Sequence, residues 1–242
     1  VSGSEGLNLY GLDVVCNPDG DHMVLYGEDD GSGRALMARV YDASEGDWTA
    51  APLPLGVDDY QYESTTARTP DGRVVVGFEE YDTTAMQSYL RARTYSAGVW
   101  STVATLDDSD PVVVSDLQFA AAGDDVHAVW RAGSDFVASR LEAGSTTWTT
   151  ATPVATVAGV QEFCVAGDPF GGVELAWVAN NAINARFYRD AWGSEVAIKA
   201  AGEFIGSGSL SCVVDARKRA SVAWTLWDPA AVQLSAFART FR

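Results

Sequence analysis

The segment Arg91-Ala-Arg-Thr-Tyr95 decides the fold, because variants of it recur five times along the chain. In each copy a small residue precedes an arginine, and the last residue is Tyr, Phe or Glu. The copies are Met37-Ala-Arg-Val-Tyr41, Arg91-Ala-Arg-Thr-Tyr95, Ala138-Ser-Arg-Leu-Glu142, Asn184-Ala-Arg-Phe-Tyr188 and Phe237-Ala-Arg-Thr-Phe241. Their arginines are 54, 47, 46 and 53 residues apart. A recurring spacing of this length indicates a repeat architecture.

Two series of aromatic residues keep the same period. They are Tyr26, Phe78, Trp130, Trp177 and Trp224, and Trp48, Trp100, Trp148 and Trp192. Three series with one period predict five repeats of about 48 residues. We expect the repeats near residues 11–62, 63–114, 115–160, 161–206 and 207–242, with residues 1–10 closing the last one.

Each repeat is expected to contain four strands. Short segments rich in apolar and β-branched residues surround the first aromatic series and predict strand B at residues 22–26, 74–78, 126–130, 173–177 and 220–224. Upstream, strand A is expected around residues 13–16, 65–67, 117–120, 163–166 and 210–214. The Ala-Arg segments supply strand C and the Trp48-type segments strand D. Apolar residues occur at both parities of strand B, which predicts burial on both faces of each sheet.

Sheets of four strands with two buried faces are typical of blades that radiate around an axis. We therefore predict an all-β single domain, a five-bladed β-propeller with about 48 residues and four antiparallel strands per blade. The alternatives are a β-sandwich and a fragment of a larger propeller.

Composition excludes several classes of protein. The 242 residues are 47% hydrophobic, without an apolar run near eighteen residues, so no membrane span is expected. The net charge of −17 opposes binding to a phosphate backbone, so nucleic acid is not an expected partner.

The chain starts at Val1 without a signal-peptide core, as in a processed mature chain or an excised domain. We expect an extracellular or cell-surface location.

The repeat number and length resemble five-bladed lectins of the tachylectin-2 type. In addition, Gly46-Asp-Trp48 and Gly98-Val-Trp100 are similar to the Asp-box of sialidase-type propellers, with a shorter Gly-to-Trp spacing. These resemblances imply a propeller architecture, and propellers support many functions.

The loops predicted on one face of the propeller are acidic and aromatic, which suits a sugar ligand, because rings stack on sugar CH groups and carboxylates accept hydroxyl hydrogen bonds. Our main prediction is a non-enzymatic, lectin-like carbohydrate-binding or surface-interaction module whose partner is a glycan or cell-surface ligand. The expected stacking residues are Trp227, Tyr81 and Tyr60, and the expected acceptors are Asp59, Glu63 and Asp228. Solvated turns are the alternative explanation of these loops.

Four acids precede the strand-B aromatics by 13 to 15 residues: Asp13, Glu63, Asp116 and Glu162. Carboxylates that converge near an axis suit glycoside hydrolysis or a calcium cage, and five-bladed glycosidases of the arabinanase and invertase type also draw carboxylates from inner strands. A glycoside hydrolase is therefore the first alternative function, and loop capping is the structural explanation. A structural subunit of an extracellular assembly, which would self-associate as an oligomer, is the second alternative.

No resident cofactor is expected, with calcium as the one candidate ion, at Glu28, Asp30 and Asp82. The repeated arginines are expected to lie between blades, and His22 and His127 are expected to be packed side chains. Cys164 and Cys212 lie in neighbouring repeats with registers that differ by one residue. We expect buried free thiols that point to opposite faces, and a disulfide between the two repeats is the alternative.

Overall fold

The computed structural model contains 21 strands, and it has no helix among the residues that it describes, which are 8–16, 20–29, 31, 33–48, 53–56, 60–108, 114–202, 205, 210–228 and 233–241. The strands are β1 (Asn8–Cys16), β2 (His22–Asp29), β3 (Arg34–Asp42), β4 (Asp47–Trp48), β5 (Leu53–Pro54), β6 (Tyr60–Arg68), β7 (Val74–Asp82), β8 (Gln87–Ser96), β9 (Val99–Trp100), β10 (Ala104–Asp107), β11 (Val114–Ala122), β12 (Asp125–Ala132), β13 (Asp135–Leu141), β14 (Thr152–Thr156), β15 (Val160–Gly167), β16 (Val173–Ala179), β17 (Ala182–Tyr188), β18 (Val196–Lys199), β19 (Ser211–Val214), β20 (Ala220–Asp228) and β21 (Gln233–Phe241). The all-β prediction is confirmed.

Each predicted repeat forms one antiparallel meander. The first two meanders share a sheet in the order β1-β2-β3-β6-β7-β8-β10, joined by a single parallel bridge between Arg34 and Tyr60. Strands β11 to β14 and β15 to β18 form two four-stranded sheets, whereas β19 to β21 form a three-stranded sheet. The fourth strand predicted for the last repeat is therefore not present among the described residues.

Two compact units divide the chain: residues 1–117 with 146–148, and residues 118–145 with 149–242. Residues 8–10 belong to β1, where they pair with β2. Residues 8–10 therefore do not close the last repeat, contrary to the prediction. Residues 1–7 lie outside the described part of the chain.

The predicted B strands are confirmed, but they extend beyond the expected ends. For example, β2 continues to Asp29, β7 to Asp82 and β20 to Asp228. The acidic residues that suggested loops are paired there with the next strand, because backbone hydrogen bonds continue past the last apolar side chain.

The turn between the first and second strands has one design in three repeats. Asp168 donates its backbone N–H to the carbonyl of Gly172 at 2.8 Å, and Asp215 does the same to Arg219 at 3.0 Å. Thr69 and Arg73 are paired in the same way at 2.9 Å. One turn geometry at one place supports a structural repeat, in addition to the repeat seen in the sequence.

The second strands β2, β7, β12 and β16 are buried on both faces, as predicted, whereas β20 is buried on one face and exposes Ala223 on the other. All seven residues of β16 are buried. Leu175 and Trp177 pack with Val129 and Phe136 of the preceding sheet. The alternate residues Ala176 and Val178 pack with residues of β20 on the following sheet. Each sheet of this unit therefore depends on its neighbours for burial of apolar surface.

The repeated arginines connect neighbouring repeats. Arg93 donates to the carbonyl oxygen of Pro54 at 3.0 Å, Arg186 to that of Val154 at 2.5 Å, and Arg239 to that of Ile198 at 2.6 Å. Each acceptor lies on the last strand of the preceding repeat. The predicted position between repeats is confirmed for these three arginines, whereas Arg140 donates to the Tyr188 hydroxyl at 3.2 Å.

In two of these contacts the acceptor carbonyl belongs to a β-bulge. The pairing of β14 with β13 skips Val154, and the pairing of β18 with β17 skips Ile198. A bulge residue is left out of the strand ladder, and its carbonyl needs another donor. The arginine of the next repeat is that donor.

We expect Trp177→Ala to lower the free energy of unfolding by about 3 to 5 kcal/mol, because it removes a fully buried indole between two sheets. Urea unfolding of the purified chain measures this loss. The matched control is Phe170→Ala, whose ring is 63% exposed. A loss below about 1 kcal/mol for Trp177→Ala would contradict the packing described here.

We expect Arg186→Met to lower the free energy of unfolding by about 1.5 to 3 kcal/mol, because the Val154 carbonyl loses a charged donor while the apolar stem stays. The exposed Arg217→Met is the control, and urea unfolding is again the measurement. Equal stabilities of the two variants would show that the arginine contact contributes nothing.

Candidate functional site

The first strands of successive repeats carry acids that bond to the next repeat. On β1, the Asp13 carboxylate accepts a hydrogen bond from the Thr66 hydroxyl of β6 at 3.0 Å, and its other oxygen accepts the backbone N–H of Val14 at 2.8 Å. Nearby, Arg68 donates to the Cys16 carbonyl at 2.6 Å. The Asp13 carboxylate is therefore held in place from two repeats.

Similar contacts occur in the second unit. The Glu162 carboxylate accepts the backbone N–H of Leu210 at 3.0 Å. Gln118 donates to the Phe163 carbonyl at 2.9 Å and accepts the backbone N–H of Val165 at 3.1 Å. Polar side chains thus join first strands where these strands come close together.

The four predicted acids do not share one register. Asp13 is opposite Leu25, one residue before the strand-B aromatic, whereas Glu162 is opposite Val178, one residue after it. Glu63 lies at a bulge of β6, and Asp116 lies on β11. The side chains of Glu63 and Asp116 are outside the described part of the structure.

The structure brings two of the predicted stacking residues together. Tyr60 and Tyr81 are cross-strand partners on β6 and β7, and both are half-buried. Cross-strand partners project to the same face of a sheet. The Tyr81 hydroxyl lies 3.5 Å from the Met86 sulfur. The two tyrosines therefore lie opposite each other where β6 begins and β7 ends.

The predicted loop position of Trp227 and Asp228 is wrong. Both residues lie in β20, opposite Leu234 and Gln233 of β21. Their side chains are outside the described residues, as is all of Asp59. Their part in ligand binding stays a prediction.

A buried ionic network beside the tyrosine pair was missed from the sequence. Glu80 is fully buried and pairs with Arg91 at 3.0 Å, while Gln61 donates to Glu80 at 3.5 Å and accepts the backbone N–H of Leu36 at 2.6 Å. The Arg91 guanidinium also lies over the Tyr89 ring, 4.2 Å from its centroid. This network fixes the edge of the sheet that carries Tyr60 and Tyr81.

The backbone at Gly56 closes over this network. A Cβ atom there would collide with the Glu80 carboxylate and the Gln61 amide. Glu80 occupies a face of β7 that is otherwise apolar, and this is the signal in the sequence that could have revealed it.

The candidate calcium ligands lie in different local environments. The Asp82 carboxylate accepts backbone N–H groups of Thr84 at 2.7 Å and Ala85 at 2.9 Å, so it caps a turn. Glu28 is paired within β2, and Asp30 lies outside the described residues. Within the described ranges, no group of three or more His, Cys, Asp or Glu side chains could hold a metal ion.

Other turn acids also cap turns. The hydrogen bond from the Ser44 hydroxyl, with two backbone N–H groups, lowers the pKa of Asp42. The Arg219 side chain and backbone N–H hold the pKa of Asp215 at about 2. These two acids lie outside the acidic loops for which a ligand was predicted.

Two titratable side chains at equivalent places in the second strands are deeply buried. Burial, with the nearby Arg140, lowers the pKa of His127 to about 4, and its ring packs on Tyr188 at 4.6 Å. Burial raises the pKa of Glu174 to about 7, and neither carboxylate oxygen has a hydrogen-bond partner among the described residues. The packed position predicted for His127 is confirmed. His22 is half-buried and stacks on Tyr41 with ring centroids 5.9 Å apart.

The cysteines are free thiols, as predicted, but they differ in exposure. Cys164 is buried, Cys212 is half-buried and Cys16 is exposed. Cys164 belongs to an apolar cluster against which Cys212 packs. Cys164 faces the following sheet and Cys212 faces the preceding sheet, because their positions along the first strands differ by one residue. The two side chains therefore meet in the interface between these sheets. The expectation that they point to opposite faces of their sheets is confirmed, and this orientation is what brings the two side chains into one interface.

Solved structures similar to this chain give the fold independent support. AofleA from Arthrobotrys oligospora, in a variant with three arginines changed to alanine, matches with a TM-score of 0.59 and 14% identity over 98% of this chain and 70% of that chain. NanB sialidase from Streptococcus pneumoniae matches with a TM-score of 0.54 and 7% identity, over 94% of this chain and 60% of that chain. The GH93 α-L-arabinofuranosidase of Fusarium graminearum, solved with arabinobiose, matches with a TM-score of 0.53 and 10% identity. The match covers 92% of this chain and 79% of that chain. No family model and no curated protein matches the sequence.

These similarities show a propeller-like fold, since the identities are too low to show more. They also correct the main functional prediction. Two of the three similar structures are named as carbohydrate-processing enzymes, a sialidase and an arabinofuranosidase, which contradicts a non-enzymatic lectin-like module and favours the alternative of a glycoside hydrolase.

In the part of the chain that the structure describes, no helix has the length and apolar composition to span a membrane.

We expect Glu174 to make the protein less stable as pH rises. Its folded-state pKa of about 7 is above the ordinary 4.5, so the fold favours the protonated form. The contribution of Glu174 to the free energy of unfolding is complete below about pH 4.5. It falls by about 3 kcal/mol as the pH rises from about 4.5 to 7. The free energy of unfolding of wild type minus that of Glu174→Gln, measured at several pH values, should fall over this window. The exposed Glu195→Gln is the control, and a difference that is constant with pH would contradict the assignment.

Proposed function

We propose that this chain is a glycoside hydrolase on a five-bladed β-propeller, with catalytic carboxylates on the innermost strands. The candidates are Asp13, Glu63, Asp116 and Glu162. The observation that carries the proposal is the Asp13 carboxylate, held by Thr66 from the next repeat on a strand that approaches the axis of a propeller. The similar arabinofuranosidase and sialidase support the choice of reaction class.

The chemistry follows from what carboxylates do at an acetal carbon. One ionised carboxylate attacks the anomeric carbon or removes a proton from the attacking water, and a second, protonated carboxyl gives its proton to the leaving oxygen. Asp13, fixed by a hydroxyl and a backbone N–H, has the ordered geometry that such a step requires. We assign Asp13 the role of nucleophile or base.

A sugar substrate also needs apolar contact surface. The cross-strand partners Tyr60 and Tyr81 offer it at the sheet end, with the Glu80–Arg91 network beneath them. We propose that Tyr60 and Tyr81 stack on the glycan and that Asp59 and Glu63 accept its hydroxyl groups. Trp227 and Asp228, which belong to the other compact unit, are proposed separately as a stacking residue and an acceptor. The substrate would then be an extracellular glycan, and the protein would act outside the cell or at its surface.

Calcium at Glu28, Asp30 and Asp82 is a separate proposal. It requires the melting temperature to rise with calcium and to fall with chelator, because an ion that binds the folded state stabilises it by mass action.

The hydrolase proposal is tested with chromogenic α-L-arabinofuranosides, sialosides and a panel of hexosides. We expect wild type to release aglycone from at least one of them and Asp13→Asn to reduce kcat by at least about 100-fold. Thr66→Val should lower kcat less, since it removes only the hydroxyl that positions Asp13. Urea unfolding confirms that each variant is folded.

The matched control is Glu45→Gln, which removes one charge from an exposed turn and should leave kcat unchanged. Absence of turnover by wild type across the panel would overturn the proposal. Full activity of Asp13→Asn would overturn the assignment of the residue.

A further inference from the structure

The interface between the fourth and fifth repeats contains two adjacent thiols. Cys164 on β15 is opposite Ala176, and Cys212 on β19 is opposite Val222. Ala176 and Val222 belong to the same apolar cluster, which includes Cys164 and lies against Cys212. The thiols therefore face each other from the first strands of two neighbouring sheets.

A buried acid lies next to this pair. Glu174, two residues before Ala176 on the same face of β16, is fully buried, and its carboxylate oxygens have no hydrogen-bond partner within the described ranges. Its charge acts on Cys212. Two thiols and an unpaired carboxyl group are therefore buried in an interface that is otherwise apolar. Packing alone does not explain these polar groups.

We propose that Cys164 and Cys212 form an oxidation site, which closes into a disulfide between the fourth and fifth repeats. The proposal does not depend on the hydrolase activity. No large rearrangement is needed, because both side chains pack in one apolar cluster and the strands that carry them, β15 and β19, are in contact.

The reaction is a thiol–disulfide exchange with a small disulfide such as oxidised glutathione. Cys212 is half-buried, whereas Cys164 is buried, so Cys212 is the thiol within reach of the oxidant. Its thiolate attacks one glutathione sulfur, and the other glutathione leaves with the proton that Cys212 lost. Cys164 then attacks the Cys212 sulfur of the mixed disulfide and releases the second glutathione. Two protein thiols are oxidised, and one glutathione disulfide is reduced to two thiols.

Glu174 lies close enough to Cys212 to affect the first step. The hydrogen bond to Cys164, burial and the charge of Glu174 raise the pKa of the Cys212 thiol. Only the thiolate attacks a disulfide, so the negative charge of Glu174 slows the exchange. Glu174→Gln should therefore react faster than wild type at neutral pH.

The experiment incubates the folded full chain with oxidised glutathione, alkylates the remaining thiols and maps peptides by mass spectrometry. We expect a Cys164–Cys212 linked peptide with the loss of two hydrogens and one alkylated thiol, Cys16. The closed loop spans 48 residues, and in the chain-entropy model such a link raises the folding equilibrium constant by about a thousandfold, so oxidised protein should unfold at higher urea concentration.

Cys16→Ser keeps the pair, and it should form the link and gain the same stability. Cys212→Ser should form no link and gain no stability. Two results would overturn the proposal: alkylation of both Cys164 and Cys212 after incubation of wild type, or a glutathione adduct on Cys212 that does not resolve. Both readouts use the wild-type chain, so they hold even where a cysteine variant fails to fold.

Discussion

The second strands β2, β7, β12 and β16 have two apolar faces, and both faces are removed from water. Within the second unit, Trp177 fills one face of β16 against the preceding sheet, and Val178 fills the other against the following sheet. A sheet with this composition has no solvated side, so it is stable only between neighbours. The arginine contacts then align successive sheets, because each donor finds an acceptor only when the preceding repeat is in register.

Much of the fold could be predicted from the sequence, because the repeat period is written in three independent series of residues. Strand ends could not be predicted with the same success. Residues such as Glu28 and Trp227 have turn-like or loop-like neighbours, yet backbone pairing continues through them. The meeting of Cys164 and Cys212 in one interface was also missed, because parity along one strand does not reveal which neighbouring sheet a residue faces.

The candidate site could be predicted only in part. Tyr60 and Tyr81 were predicted in loops, whereas both lie in strands, and their cross-strand pairing could be seen only in the structure. Asp13 was selected by spacing, but spacing alone cannot show that Thr66 of the next repeat holds its carboxylate. The buried Glu80 and Glu174 were overlooked, because an acid within an apolar strand resembles a solvated position until the neighbouring sheet is known.

The direction of the arginine contacts has a consequence for the order in which the chain acquires structure during translation. In three of these contacts the donor follows its acceptor, by 39 residues for Arg93, 32 for Arg186 and 41 for Arg239, whereas Arg140 precedes the Tyr188 hydroxyl to which it donates. At about 5 to 20 residues per second, a ribosome delivers the donor about 2 to 8 seconds after the acceptor. During that interval the bulged carbonyls of Val154 and Ile198 have no arginine to bind, so each repeat is secured by the one synthesised after it.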